Sequence, residues 1–212
     1  MATPRDGIYV HPSWLARFMG GEITCEWQVW FKAHHMYEKV PSDFDVASYK
    51  VDHTRALREL RGERERDGER VTVERQNTFR WMRPGSSLII HGTPDLIAVG
   101  DEMITVYDVK TGAARDWHPL QVMIYMHCLR QEAPIYRERL LQGVVAYGDD
   151  QVAVPPTAID AAFEENFNYF LDLIDTDEPP AMTPSEAECA WCDIPSSECP
   201  DRIEPADGGD EQ

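Results

Sequence analysis

The chain reads as an α/β or α+β layer in which helices flank one mostly central sheet. Two observations carry that reading. Elements alternate along the chain as helices, several strands, a helix, more strands and a final helix, with no internal repeat. Length sets the scale: 212 residues are enough for one domain with a real hydrophobic core, or one domain with a small appendage.

Taken in order, "HPSWLARFMGGEITCEWQVWFKAHHMYEK" (11–39) gives two short helical pieces. In the second, Cys25, Val29 and Lys32 or Ala33 share a side, and Trp27 and Trp30 add apolar bulk. "PSDF" (41–44) breaks the chain. From His53, "HTRALRELRGERERDG" begins as a helix and becomes almost wholly charged, a solvated helix end or loop. Residues 71–83, "VTVERQNTFRWMR", alternate loosely as a strand before the turn "PGSS". Strands follow at 87–91, 95–99 and 103–109, the last two joined tightly through "VGDE". "DWHPLQVMIYMHCLRQE" (116–132) is an amphipathic helix with Leu120, Ile124 and Cys128 on one side. "ERLLQGVVAYG" and "QVAV" form a hairpin, and Pro155 and Pro156 introduce a last helix, "TAIDAAFEENFNYFLDLI" (157–174).

Composition narrows the function. With 38 acidic and 20 basic residues the net charge is −18, which argues against a protein that coats DNA indiscriminately. Much of the acid falls in "IDTDEPPAMTPSEAE" and "DRIEPADGGDEQ", which look solvated, so a local basic track remains open. Arg80, Arg83, Arg115 and Arg137 are candidates for it, with Trp81 and Trp117 for base stacking. No run approaches the ~20 apolar residues of a membrane span, and no signal peptide is evident, so no membrane association is expected and a cytoplasmic location is the default.

"HGTPDLIAVGDEMITVYDVKTG" (91–112) holds the chemistry. Asp108 and Lys110 lie two residues apart near a strand end and point to one face. A hairpin would bring Asp95 beside Asp108, and two converging carboxylates without a counter-charge raise at least one pKa. A divalent cation removes that penalty, and hard oxygen ligands suit Mg²⁺ or Mn²⁺, with the Val109 carbonyl as a further ligand. The plainer alternative is a strand-edge ion pair with Asp95 as a turn residue. One helix later, Gln121 and Tyr125 stand at i and i+4 and share a face.

Cys189, Cys192 and Cys199 crowd into eleven residues. Three thiols this close suggest metal or a cluster rather than a disulfide scaffold. Cys25 is the candidate fourth ligand, since Cys128 sits in an apolar helix as a small hydrophobe. Zinc and a [4Fe-4S] cluster both fit four thiolates, and spacing alone does not separate them.

"GTPD … YDVKTG … LQVMIY" resembles the PD-(D/E)xK nuclease superfamily, in particular its RecB-like branch. The resemblance spans about residues 13–200 and implies a restriction-endonuclease-like α/β fold with a central mixed sheet. It implies that Asp95 and Asp108 bind Mg²⁺ or Mn²⁺, that Lys110 acts at the attacking water, and that Gln121 and Tyr125 contact substrate or support the site. It also implies an upstream metal-binding histidine at a helix start. His53 is the best match, His34 and His35 are rivals, and the usual glycine-rich approach is missing. His91 and His118 match no family position. One early cysteine plus three late ones, with the opening "SWLARFMGGEITC", resembles the iron–sulfur subgroup found in AddB-type helicase–nucleases and CRISPR-associated adaptation exonucleases. The implied protein is a metal-dependent DNA exonuclease acting on single-stranded or frayed ends, its terminal segments joined by a [4Fe-4S] cluster on Cys25, Cys189, Cys192 and Cys199. Implied partners are DNA and proteins of recombination or CRISPR adaptation; a phage-encoded copy would work in the host cytoplasm. A cluster-carrying adaptor with little activity is the rival. The expected organisation is one domain over 1–200, comprising a helical segment (1–50), a catalytic core (51–175) and a cysteine-rich segment (176–200), then an acidic disordered tail (201–212).

Overall fold

The computed structural model describes residues 1–41 and 45–204. Most of the "PSDF" break and the tail from 205 onward therefore lie outside the described residues.

Strands β7 (Leu96–Val99), β8 (Met103–Val109), β9 (Leu140–Tyr147) and β10 (Asp150–Val154), with β4 (Arg70–Val73), form a five-stranded sheet of order β10-β9-β8-β7-β4. Only β8 and β9 run parallel, so the sheet is mixed. Their parallel pairing requires a long crossover, supplied by α4 (His118–Glu132) and the short α5 (Pro134–Glu138). A second sheet, order β2-β6-β5, joins β2 (Ile8–Val10), β6 (Leu88–Gly92) and β5 (Phe79–Met82). A two-residue pair, β1 (Thr3–Pro4) with β3 (His35–Met36), ties down the N-terminus.

Strand alternation divides the core. Ile97, Ile104, Val106, Leu141 and Val145 face α4, α1 (Pro12–Met19) and α6 (Ala161–Ile174), where Leu15, Val122, Phe167 and Leu171 complete the larger cluster. Leu96, Ala98, Tyr107, Val109, Val144 and Ala146 face the other way, onto Leu57 and Leu60 of α3 (Val46–Arg66). Helices thus cover both faces of the mixed sheet. At Gly143 of β9, an added Cβ would lie 2.1 Å from Cγ1 of Val122 and 2.9 Å from the sulfur of Met126, so α4 packs directly on the strand backbone.

Two expectations need correction. Residues 71–83 are not one strand. The chain breaks at Glu74, whose φ of 45° lies in the left-handed region, and passes through a 3-10 turn (Glu74–Asn77) before β5 joins the other sheet. Likewise α3 does not begin at His53. It starts seven residues earlier, where Asp45 accepts from the Ser48 N–H at 2.9 Å, and it runs through the charged stretch to Arg66. Pairs such as Arg61–Glu65 support that solvated half.

The two ends of the described chain meet. Cys25 stands at the N-cap position of α2 (Glu26–His34) without a side-chain capping bond, and Trp27, Trp30 and Phe31 of that helix pack with Ile194. Among the described residues, no helix is long and apolar enough to cross a membrane.

Candidate active site and cysteine pocket

The register of β7 and β8 pairs Leu96 with Tyr107, so Asp95, one residue earlier, stands across from Asp108. Asp95 Oδ2 accepts the Val109 N–H at 2.7 Å and lies 3.4 Å from His53 Nε2. That contact is the main reason the His53 pKa is raised, against an opposing effect of burial. Asp108 points to the α4 side and is 3% exposed. Burial, with the neighbouring charge of Asp95, raises its carboxyl to about 6 although Lys110 pulls the other way. Its Oδ1 accepts from Gln121 Nε2 at 2.9 Å. Its Oδ2 lies 2.7 Å from Lys110 Nζ, yet no hydrogen bond of good alignment reaches that buried atom.

Gln121 organises the rest. Its Oε1 accepts from Lys110 Nζ at 3.1 Å, and its Nε2 also donates to the Tyr125 hydroxyl at 2.8 Å. The i, i+4 pair therefore forms one hydrogen-bonded unit behind the acid and the lysine. Asp95, Asp108, Lys110, Gln121 and Tyr125 come together at one end of the sheet, with His53 entering from α3 on one face and Gln121 from α4 on the other. His34 does not join them: its Nε2 bonds the Ile174 carbonyl oxygen at 2.9 Å. His118 contacts the Tyr147 hydroxyl at 2.7 Å, and burial together with Lys110 pushes its pKa down to about 4.

Linear reading misses Tyr49 and Glu74 here, and offers Trp117 only for base stacking. Tyr49, one turn before His53, stacks on its ring at 5.7 Å. Trp117 places its ring 5.7 Å from Lys110 Nζ and donates its indole N–H to Glu22. Glu74, in its left-handed conformation, donates its amide to the Asp95 carbonyl at 2.9 Å. Of the expected DNA contacts, Trp81 is core: it is 6% exposed, and its indole N–H bonds Gln131. Arg83 is tied to Asp172 and Asp175 at 2.5 and 3.0 Å. Arg80, Arg115 and Arg137 are exposed.

Cys25, Cys189, Cys192 and Cys199 line one pocket together with Trp27, Met182 and Ile194. All are free thiols. Burial raises Cys192 and Cys199 above the ordinary thiol range. Polar groups around the pocket bind the two segments to each other. Glu188, immediately before Cys189, accepts from the Thr24 and Cys25 amides, the Thr24 hydroxyl and Gln28 Nε2, at 2.5–3.1 Å. It is therefore not the solvated acid its linker suggested. Asp193 meets Lys32 and Lys39, both at 2.8 Å; burial opposes its ionisation, but the two ammonium groups outweigh burial and depress its pKa. Arg202 donates to the carbonyls of Cys192 and Ile194. Cys128 is fully buried in α4, where burial raises its thiol, consistent with a packing role.

Among the described residues, no three His, Cys, Asp or Glu side chains stand close enough to hold a metal ion as placed. At the sheet end the reason is visible: Lys110 lies against Asp108, and His53 and Val109 crowd one oxygen of Asp95. The donor chemistry nevertheless fits a hard divalent ion, with two carboxylates, an imidazole and a buried oxygen lacking an aligned partner. Four thiols on one pocket likewise fit a thiolate-ligated metal or cluster.

Residues 12–199 match the family described as the PD-(D/E)XK nuclease superfamily. Among solved structures the chain aligns with "Crystal structure of SSO0001" at 14% identity and a TM-score of 0.48, over 95% of this chain and 90% of that one. No curated protein matches the chain.

Proposed function

The chain belongs to the PD-(D/E)XK nuclease superfamily, and from that premise we propose that it is a divalent-metal-dependent DNA exonuclease of the RecB-like branch. The observation that carries this reading is the meeting of Asp95, Asp108 and Lys110 at one sheet end, with His53 and Gln121 arriving from opposite layers.

Asp95, Asp108 and His53, with the Val109 carbonyl, would hold Mg²⁺ or Mn²⁺. When bound, such an ion supplies Lewis-acid polarisation of the scissile phosphate and offsets charge on the departing oxygen. The Lys110 ammonium stabilises negative charge developing on the phosphate and orients the attacking water. Gln121 fixes both Lys110 and Asp108, so the acid and the cation keep their relative placement while substrate comes and goes. Tyr125, buried behind Gln121, anchors the amide. Water oxygen bonds to phosphorus and the P–O3′ bond breaks, leaving a 5′-phosphate and a 3′-hydroxyl. Single-stranded or frayed ends are the preferred substrate.

Residues 1–200 act as one unit in this proposal, and the four cysteines carry a structural [4Fe-4S] cluster, with Zn²⁺ as the alternative. The support is their shared pocket, built from both ends of the described chain. A second reading, a cluster-carrying adaptor in a recombination or CRISPR adaptation assembly, draws on the ion pairs that close the acidic site on itself. Labelled single- and double-stranded DNA with Mn²⁺ separates the two. The nuclease should degrade from free ends, and Asp108→Ala or Lys110→Ala should lower the rate by about 10³-fold or more. Cleavage that survives both substitutions, or that never occurs with the native chain, favours the adaptor.

A further inference from the structure

The open face of the three-stranded sheet carries a cleft that the acidic site and the cysteine pocket do not use. Its lining includes Arg5, Tyr9, His11, Trp14, Arg80 and His91, around a volume of about 360 Å³. Period-2 alternation explains the gathering. In β5, Phe79 and Trp81 turn inward and Arg80 outward; in β6, Leu88, Ile90 and Gly92 turn inward, and of the two residues on the other face Ile89 is buried and His91 exposed. Arg80 and His91 are direct cross-strand partners. On the other side of β6, Val10 pairs with Ile90, so His11 follows as the next residue in the same row. Three nitrogen-rich side chains thus stand side by side across the sheet. Trp14 lies 5.9 Å from the His11 ring, and the Arg5 guanidinium sits 5.7 Å from the Tyr9 ring.

Charge singles the cleft out. The chain carries −18, yet no carboxylate lines this surface. Asp6 touches its margin only by accepting the Tyr9 hydroxyl at 2.8 Å. Among the described residues the Arg80 guanidinium makes no ion pair, and the contact from its residue to Glu132 is made by the backbone amide. The free Arg80 guanidinium, with Arg5 held through its Nε by the His35 carbonyl at 3.0 Å, stands beside imidazole, indole and phenol rings and matches the chemistry of a nucleotide: phosphate oxygens for the two guanidinium groups, a base face for the rings. The location fits as well. Gly92, next after His91, pairs with Phe79, whose ring meets Tyr125 edge-on at 6.0 Å. Asp95 is four residues past His91, at most about 14 Å of extended chain.

We infer that this cleft is a nucleotide subsite that holds a phosphate and base of single-stranded DNA away from the scissile bond. The choice of DNA as the occupant rests on the nuclease reading above; the cationic, aromatic character of the site does not. In a strongly acidic protein, such a subsite would supply attraction for the strand that the molecule as a whole lacks.

The test measures binding apart from cleavage. A fluorescent oligo(dT) is titrated with the full chain in EDTA, by anisotropy, at several salt concentrations, beside Arg80→Glu, Arg80→Lys and His91→Ala. Both positions are exposed, and thermal melts check that folding is retained. Arg80→Glu should weaken binding about tenfold or more and flatten the salt dependence by about 0.7 in log–log slope, with Arg80→Lys in between. Unlabelled dTMP or inorganic phosphate should compete only at far higher concentration; full competition by dTMP would overturn the assignment to a strand and point to a free nucleotide. Unchanged affinity and slope in Arg80→Glu would overturn the subsite, as would a change in oligomer mass without a change in DNA binding. The nuclease reading fails separately: Arg80-dependent binding with no cleavage under Mn²⁺ would remove the enzyme and leave the subsite.

Discussion

At the end of β8, Asp108 is buried, but Lys110, Gln121 and Tyr125 already form a continuous polar network around it. Around Cys25 the arrangement is reversed. The thiols face a pocket lined largely by apolar groups, while polar contacts fall to flanking residues: Glu188 on the α2 N-terminus, Asp193 between two lysines, Arg202 on two carbonyls. One centre orients its acidic and basic side chains directly, while around the thiols the polar contacts hold the backbone that carries them. An incoming cation at the first must compete with an ammonium and an imidazole. At the second, four thiols line one pocket but do not yet stand close enough for three of them to share a metal, so binding there would have to draw the two segments closer.

The comparison can be broken in three places. The largest stability effect is expected from the thiols. If they ligate a cluster or zinc, Cys25→Ser should lower the unfolding free energy by several kcal/mol and open the segment after residue 176 to protease. In anaerobic preparations it should also abolish visible absorption, whereas Cys128→Ser should leave the colour intact. A colourless, metal-free native protein as stable as Cys25→Ser would remove the ligand role from the pocket. Next is Glu188. Replacing it with Ala strands two backbone amides, a hydroxyl and an amide side chain, for a loss of about 2 kcal/mol in urea denaturation of metal-free protein. Glu188→Gln, which keeps one acceptor oxygen, should lose about half as much. An equal loss in loaded and metal-free protein would mean that the latch and the thiols act independently.

The smallest effect lies at the acidic site and has the opposite sign. Burial raises the folded Asp108 carboxyl to about 6, above the unfolded value of about 3.9. Its contribution is most favourable below pH 4, where both states are protonated, and is lost as pH rises through 6. Without divalent ions, Asp108→Asn should therefore stabilise the chain at pH 8, with the gain fading between pH 6 and 4. Divalent ion should raise the melting temperature of the native chain but not of the variant. A variant less stable at every pH would show that the Lys110 contact outweighs burial.

The sequence made some of these parts visible and concealed others, for identifiable reasons. "MITVYDV" is apolar on both faces and buried from Ile104 onward, so β8 is visible as a run, the shared face of Asp108 and Lys110 follows from their two-residue spacing, and Gln121 with Tyr125 follows from helical spacing. α3 is hard to delimit because only Leu57 and Leu60 are buried along 21 residues, leaving almost no apolar period to mark its start. Glu74 interrupts an apparently regular strand through a backbone conformation that no side-chain pattern announces. Trp81 is open to correct reading within "FRWM", where alternation with Arg80 sends it inward. Arg80 and His91 are cross-strand neighbours eleven positions apart, and Glu188 meets Cys25 across 163 residues. Such meetings depend on register and chain closure, which a linear reading does not contain.

Gly143 shows how far the reach of Gln121 depends on something that is not polar at all. Because α4 rests on bare backbone there, a single methyl on β9 would act as a wedge under Val122, the residue next to Gln121. The helix would ride outward and withdraw its amide from Asp108 and Lys110 together. A change at that glycine would then silence the acidic corner without touching any group in it, and would pass in a linear reading for a harmless exchange of small residues.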